Sequence, residues 1–388
     1  MNIKKNFDSK QFLMASIVPI LFIIISIIMV PFSKYSGGYL ANQIVTRLAR
    51  NMFLVISLII PIIAGMGINF GMTLGAMAGQ IALTFVDEWC LVAKFTESFA
   101  SLGPMAAKSS KLLTVIIAML ISAPISYIFG RFAGAILNRA KGREMITSMI
   151  LGYFFSGLYQ FFMLYVCGGI IPFTKNKLLL PRGFGIRNSF SLDVAQGIDK
   201  FIWIKLGPIN IPVLTFLIII AGCLFIIWIK TTKLGQDMRA VGQNQDVSSA
   251  SGIDSDKIRT TSIVISTVLA GIGQIIYLQN IGNLIVYNGA DQAGLFAAAA
   301  ILVGGASVSS AGILNALIGT AIFHLLFIIM PVAGKNITGN AALGEYMRMF
   351  VSYGVVTLAL VIHAWKRAKE NSLDKKLLDE NTADKSKA

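Results

Sequence analysis

Long stretches without a charged residue dominate this chain. One runs from Asn51 to Val86, and another lies between Asp291 and Lys335. A helix rises 1.5 Å per residue, so roughly 20 apolar residues cross the hydrocarbon core of a bilayer, and each stretch is long enough for two crossings. Hydrophobic residues make up 55% of the chain and charged residues only 13%, about half the charged share of a soluble domain. The sequence therefore predicts a membrane protein.

Charge-free runs recur along the chain and predict an all-α, polytopic membrane protein with about ten transmembrane helices. The run after Asn51 divides at its glycines, and the run before Lys335 divides at 304–312, which reads GGASVSSAG. The first apolar run is too long for a signal peptide core, so it is predicted to be retained. The predicted spans are 12–32, 51–69, 71–87, 112–137, 145–171, 209–229, 259–280, 294–307, 312–331 and 347–365.

The distribution of Lys and Arg predicts the orientation of these spans. An even number of spans places both chain ends on one side, and that side holds more Lys and Arg in its short loops, as cytoplasmic loops do. The expected topology is N-in and C-in. It has a cytoplasmic N-terminus (1–11), a transmembrane domain (12–365), a cytoplasmic loop (230–258) and a mobile cytoplasmic tail (366–388). The segment 172–208 is predicted to be an extracytoplasmic loop with one short interfacial helix.

Several kinds of chemistry have no support in the sequence. The net charge of +15 comes mostly from loops between apolar runs, so it predicts membrane orientation rather than nucleic-acid binding. The three cysteines have no metal or CxxC spacing. The two histidines lie in separate spans without neighbouring metal ligands. We therefore predict no catalytic residue, no metal site and no cofactor in this chain, and we do not expect it to be an enzyme.

The sequence also limits how transport could be powered. It contains no GxxxxGK[ST] phosphate-binding loop, which an ATP-hydrolysing chain would need. The predicted spans hold almost no ionisable residues, which argues against coupling to a proton or cation. A separate ATPase subunit is the favoured energy source. A stand-alone secondary carrier and a channel-like membrane protein remain the alternatives.

The predicted cytoplasmic loop carries the most informative motif, KLGQDMRAVGQNQDVSSASGID at 233–254. It resembles the cytoplasmic motif of ABC importer permeases of the branched-chain amino acid, ribose-type sugar and nucleoside family. The next span (260–282) also resembles this family, and GREMITSMILGYFF (142–155) resembles its simple-sugar and nucleoside branch. The resemblance covers about 50–365 and is most specific at 233–282. Ser248 and Ser249 depart from the Ala or Glu that relatives often carry at these positions.

The resemblance implies a type II ABC importer permease with an inverted repeat, in a bacterial cytoplasmic membrane. Its expected partners are a cytoplasmic ABC ATPase that binds ATP and Mg²⁺, a second permease that is identical or related, and an extracytoplasmic substrate-binding protein. Residues near 244–252 are expected to form a coupling helix seated on the ATPase. The residues that match the coupling motif are Gly235, Arg239, Ala240, Gly242, Asn244, Ala250 and Gly252.

Two further expectations concern the substrate path. The glycine-rich segments 65–79 and 294–312 either interrupt helices beside a polar path or allow close helix packing, and the two roles are compatible. Uncharged polar and aromatic side chains would suit a neutral sugar or nucleoside, and a branched-chain amino acid is the alternative substrate. The predicted path residues are Asn69, Gln80, Tyr153, Gln274, Tyr277, Asn280 and Asn315.

Overall fold

A computed structural model describes residues 9–350 together with 353, 354, 357, 358 and 361. The predicted tail (366–388) and most of the predicted N-terminus lie outside the described residues. The helices are α1 (Ser9–Ser33), α2 (Gly37–Ser57), α3 (Ile59–Ile63), α4 (Met72–Glu88), α5 (Leu91–Ser98), α6 (Ala106–Arg139), α7 (Glu144–Phe161), α8 (Val213–Thr231), α9 (Lys233–Gln243), α10 (Gln245–Ala250), α11 (Ser255–Ile281), α12 (Gly289–Val303) and α13 (Ile313–Thr338). The strands are β1 (Ser189–Ser191), β2 (Trp203–Leu206), β3 (Ile209–Pro212) and β4 (Asn283–Ile285). Residues 341–350 are also helical.

Several of these helices have the length and composition of membrane spans. Within the described residues, 6 helices are long and apolar enough to cross a bilayer, or up to 7 if the bent pair α4 and α5 counts as one span. Two shorter apolar helices, Val18–Ser33 and Gly289–Val303, accompany them. The chain is thus a mostly helical, multi-pass membrane protein. The count of ten spans and the N-in, C-in orientation stay predictions.

Helix α11 lies at the centre of the bundle. Helix α6 runs antiparallel to it, because Gly130 faces Thr267 and Gly134 faces Thr260. Helix α2 is also antiparallel to α11, whereas α4 runs parallel to it. We call the end of the bundle that carries α9 and α10 the α10 end. The opposite end carries the antiparallel pair β2 and β3, and we call it the hairpin end.

Small residues bring the helices of the core into backbone contact. A Cβ atom at Gly75 would collide with the carbonyl oxygen of Thr267, and one at Gly79 would lie 2.7 Å from the carbonyl oxygen of Gly271. Close approach of this kind lets dispersion forces hold helices together where lipid supplies no hydrophobic drive between them. These contacts show that part of the glycine-rich segment serves helix packing.

Both glycine-rich segments also contain breaks in the helices. The chain leaves the helical conformation between Ile63 and Met72 and again between Val303 and Ile313. Gly65 and Gly67 have φ values of 74° and 70°, a left-handed conformation that glycine adopts without steric cost. Both breaks face the α10 end. The glycines that interrupt helices, such as Gly65 and Gly67, therefore differ from those that pack helices together, such as Gly75 and Gly79.

The hairpin end is closed by a compact segment at 167–212. Strand β1 pairs with β4 just beyond α11. The described residues of this segment contain strands and turns but no α-helix, so the expected interfacial helix was wrong. Lys175 and Lys177 each form an ion pair with Asp193, at 2.7 and 2.8 Å. Although partial burial opposes ionisation of Asp193, the side-chain hydrogen bonds with Asp87 and with both lysines hold the pKa of its carboxyl well below the usual range.

Helix α2 begins at Gly37, well before the predicted start of the span at 51. The sequence predicts a start at 51 because Arg47 and Arg50 come directly before the charge-free run. In the fold both guanidinium groups lie against aromatic rings, Arg47 5.6 Å from the centre of Phe327 and Arg50 5.5 Å from the centre of Tyr277. Contacts between a cation and a ring offset part of the cost of placing charge inside the bundle.

The Gly75 contact yields a matched pair of substitutions. We expect Gly75→Ala to destabilise the protein by about 1–3 kcal/mol or more, because the added methyl group meets the backbone of α11. Gly157→Ala is the control, since no atom lies within 4 Å of a Cβ there, and alanine favours helices by about 1 kcal/mol over glycine. Thermal unfolding in detergent compares the two. Equal unfolding temperatures for both variants would contradict the packing role of Gly75.

Candidate functional site

Helix α9 packs tightly against the end of α8 and the break after α3. The side chain of Thr232 accepts a hydrogen bond from the backbone N–H of Gly235 and so caps the first turn of α9. Gly235 touches the carbonyl of Ile229, and Gly242 touches the carbonyl of Ile63, each too closely to admit a Cβ atom. These predicted coupling residues therefore hold α9 against the membrane helices. Arg239 donates a hydrogen bond to the carbonyl oxygen of Lys230 at 3.1 Å, and Ala240 is half-buried on α9.

Helix α10 projects from the α10 end as a short, partly apolar turn. The side chain of Asn244 accepts hydrogen bonds from the backbone N–H groups of Asp246 and Val247, at 3.0 and 3.1 Å, which is the bonding of a helix N-cap. Val247 is 61% exposed and Ala250 is exposed as well. Gly252 has a φ of 84°, which turns the chain towards α11. The motif thus builds a capped helix whose apolar face has no partner among the described residues.

Buried polar contacts join α10 to helices α11 and α7. Arg259, in the first turns of α11, is 4% exposed. Its guanidinium donates to the side-chain oxygen of Gln245 at 2.8 Å and to the carboxylate of Glu144 at 2.5 Å. Gln245 begins α10 and Glu144 begins α7. One side chain therefore links α10 and α11, which are neighbours in the sequence, to the distant helix α7.

A cavity of about 540 Å³ lies between α4, α7, α12 and the helix that follows residue 341. Its wall combines apolar and aromatic side chains with uncharged polar groups and a single carboxylate. The lining residues are Phe70, Thr73, Met145, Ile146, Met149, Gly152, Tyr153, Asn288, Asp291, Gln292, Leu295, Tyr353 and Thr357. Pockets of this volume and mixed lining suit small organic molecules.

Two glycines shape the floor of this cavity. A Cβ atom at Gly152 of α7 would lie 2.9 Å from the Thr73 hydroxyl, and one at Gly294 of α12 would lie 2.6 Å from the Thr73 methyl group. Helices α7 and α12 therefore both close on the first turn of α4. The lining runs from Met145, near the α10 end, past this contact to Asn288, towards the hairpin end.

The structure distributes the predicted path residues over several places. Tyr153 is 66% exposed and lines the large cavity. Gln80 and Gln274 are fully buried on α4 and α11; Gln80 donates to the carbonyl of Ile285, and neither side-chain amide atom of Gln274 has a partner among the described residues. Asn69 is buried in the break before α4. Asn315 holds the break before α13 by donating to the carbonyl of Gly304 at 2.8 Å.

The other two predicted residues belong to the hairpin end. Tyr277 lies under the guanidinium of Arg50. Asn280 donates to the Asp199 carboxylate at 2.6 Å. Asn280 and Asp199 line a second cavity of about 310 Å³ with Thr46, Gln196, Lys200, Trp203, Asn210 and Pro212. The seven residues therefore do not form one continuous site.

Sequence reasoning missed the charged groups that lie inside the bundle. Arg47 and Arg50 were assigned to a loop, and Asp291 served only as the boundary of a charge-free run. A signal for Asp291 was present, because Asn288, Asp291, Gln292 and Leu295 follow the i, i+3, i+4, i+7 spacing of one helix face. Because Arg47, Arg50 and Asp291 lie within helices of the bundle, a scarcity of ionisable residues no longer argues against transport coupled to a proton or cation.

The chain is similar to known membrane transport proteins. A family model described as "Branched-chain amino acid transport system / permease component" matches residues 40–360. The nucleoside ABC transporter permease protein NupB of Lactococcus lactis subsp. cremoris (strain MG1363) is 26% identical to the chain over 246 residues. That alignment spans 61% of the chain and 60% of the relative, less than two thirds of its length. No solved structure matches the chain.

The buried ion pair between α11 and α7 generates a stability prediction. Glu144→Gln leaves the Arg259 guanidinium buried without its counter-charge, so we expect a loss of about 3–5 kcal/mol. Asp256→Asn is the control: its ion pair with Lys141 is more than half exposed on both sides and is worth about 0–1 kcal/mol. Thermal unfolding of both variants in detergent measures the difference. Similar shifts would show that the Arg259 pair is not a buried structural link.

Proposed function

Because the chain belongs to the family of branched-chain amino acid transport system permease components, we propose that it is the membrane subunit of an ABC importer for a neutral sugar or nucleoside. A separate ATPase subunit, holding ATP and Mg²⁺, supplies the energy. The observation that carries the proposal is the polar link from exposed α10 through Arg259 to α7, because α7 lines the large cavity. A push on α10 from a partner would thereby move the cavity wall.

The exposed face of α10 is the surface on which the ATPase would dock. Its core is the side chain of Val247, and the Asn244 cap holds the helix in shape before any partner binds. A short helix that is already formed loses little conformational entropy on binding. Movement of the partner would therefore displace α10 as a unit instead of folding it. The preceding helix, α9, is tied by Gly242 to the break before α4, so the movement reaches a second wall of the cavity.

We infer ten crossings with an N-in, C-in topology, and the directions of the described helices support it. The side chain of Asn336 donates to the carbonyl of Phe32 at 2.8 Å, so α1 and α13 both finish at the hairpin end. Gly344 packs on Pro331, so the helix after residue 341 returns towards the α10 end. With α10 facing the ATPase, the α10 end is cytoplasmic, and the chain lies in a bacterial cytoplasmic membrane.

The remaining partners follow from the surfaces. Helix α7 beside the large cavity exposes Ile146, Ile150 and Phe154, each by about 60%, and we infer that a second permease, identical or related, covers this face and completes the path. The hairpin end, with its second cavity, is the surface for an extracytoplasmic substrate-binding protein. No role in nucleic-acid binding is proposed.

A nucleoside is the favoured substrate within this proposal. The large cavity offers aromatic faces at Phe70, Tyr153 and Tyr353 and uncharged hydrogen-bond groups at Asn288 and Gln292, which suit a planar base joined to a sugar. The aligned relative is named as a nucleoside permease. A branched-chain amino acid carries both an ammonium group and a carboxylate. Among the described lining residues only Asp291 is charged, so the carboxylate of such a substrate would have no cationic partner there.

Reconstitution tests this function directly. The chain, its partner permease, the ATPase and the binding protein are placed in proteoliposomes, and uptake of labelled uridine, ribose and leucine is measured. We expect uptake of uridine or ribose that requires ATP hydrolysis. Uptake by the chain alone without ATP would instead establish a secondary carrier, and uptake of leucine only would overturn the proposed substrate class.

A substitution on α10 tests the coupling surface. We expect Val247→Asp to reduce ATP-driven uptake at least tenfold, because a desolvated carboxylate in an apolar groove opposes docking. Val247→Leu keeps the apolar face and is the matched control, with uptake near that of the unaltered protein. Both variants should unfold at the same temperature, since the side chain is exposed. Unchanged uptake in Val247→Asp would exclude α10 as the docking helix.

A further inference from the structure

The carboxylate of Asp291 is an unusual group in the wall of the large cavity. It lies in the first turn of α12, and its Oδ2 atom accepts a hydrogen bond from the Ser156 hydroxyl of α7 at 2.7 Å. Throughout the described part of the chain, no Lys, Arg or His forms an ion pair with it. Oδ1 also has no hydrogen-bond donor among those residues.

A carboxylate in this position is costly. An ionised group within membrane-spanning helices loses hydration, and such groups face cavities and carry function where they are kept. Elsewhere in this fold, charged groups inside the bundle have partners: Arg259 pairs with Glu144, and Arg50 lies over Tyr277. Among the described residues Asp291 has only the Ser156 hydroxyl, which orients one oxygen and leaves the other without a donor at the cavity wall.

The neighbours of Asp291 suggest the shape of that ligand. Asn288 and Gln292 lie on the same helix face, and Tyr153 and Phe70 present aromatic surface across the cavity. A carboxylate accepts hydrogen bonds and donates none, so its natural neutral partner is a pair of hydroxyl groups. Carboxylates bind the ribose hydroxyl of dinucleotides in the same way.

We propose that Asp291 accepts hydrogen bonds from the vicinal 2′ and 3′ hydroxyls of a ribose ring, while Tyr153 and Phe70 contact the base. Asp291 is then the residue of the path that selects ribosides, and Ser156 is a positioning residue that orients its carboxylate. This inference rests on the proposed function and narrows its substrate class to molecules with a ribose diol.

Uptake of related nucleosides measures how strongly the permease selects a ribose diol. Proteoliposomes that contain the full transporter and one binding protein take up uridine, 2′-deoxyuridine and 2′,3′-dideoxyuridine at saturating concentrations. Because the binding protein is the same throughout, a change in the uptake ratio between permease variants reports the permease alone. Hydrogen bonds to a charged group are worth about 1.5–3 kcal/mol, so a preference of about tenfold or more for the diol is expected from Asp291.

We expect Asp291→Asn to lower uridine uptake about tenfold while dideoxyuridine uptake changes less than twofold, so that the preference disappears. Ser156→Ala should reduce the preference partly, because the carboxylate remains but is no longer oriented. Glu97→Gln, at an exposed position on α5, is the control and should retain the full preference.

Two results would overturn the inference while leaving the proposed function intact. They are equal uptake of all three compounds by the unaltered protein and an equal fall for all three in Asp291→Asn. The first needs no variant, so a folding defect in Asp291→Asn would not prevent the test. Failure of ATP-driven uptake for every nucleoside and sugar would contradict the proposed function itself.

Discussion

The close approach of α4 and α6 to α11 is the contact on which the rest of the bundle depends. Gly75 and Gly79 of α4, and Gly130 and Gly134 of α6, each replace a side chain with backbone contact along α11. Lipid tails are as apolar as the side chains they contact, so membrane helices associate through such packing rather than through a hydrophobic drive. Once these helices are in place, α7 and α12 close on the first turn of α4 and enclose the large cavity.

Charge inside the bundle follows a consistent physical rule with one exception. Arg47 and Arg50 lie against rings supplied by α13 and α11, and Arg259 is paired with Glu144. In each case a partner from another helix offsets the lost hydration. Asp291 has a hydroxyl but no cation among the described residues, and it faces open volume. Unlike the others, it is placed to contact a ligand.

The polar link at Arg259 joins exposed α10 to α7, which lines the large cavity. One guanidinium holds the first residue of α10 and the first residue of α7. A side chain that is buried and bonded in two directions has few alternative rotamers, so displacement at α10 is passed on rather than absorbed. Gly242 makes a second link, between α9 and the break after α3.

The sequence by itself determined that this chain is a multi-pass membrane protein and that a short helix lies within 244–252, because run length, glycine spacing and helix capping are local properties. The cap by Asn244 and the turn at Gly252 are readable from a few adjacent residues. Only the tertiary structure decided which polar groups meet. Asn315 was predicted to line the path yet holds a helix break, whereas Asp291 faces the cavity beside Ser156 of a distant helix. Arg47 and Arg50 ended a predicted loop, but rings from α13 and α11 allow α2 to continue through them. Such contacts join residues far apart in the chain, and no periodicity along the sequence encodes them.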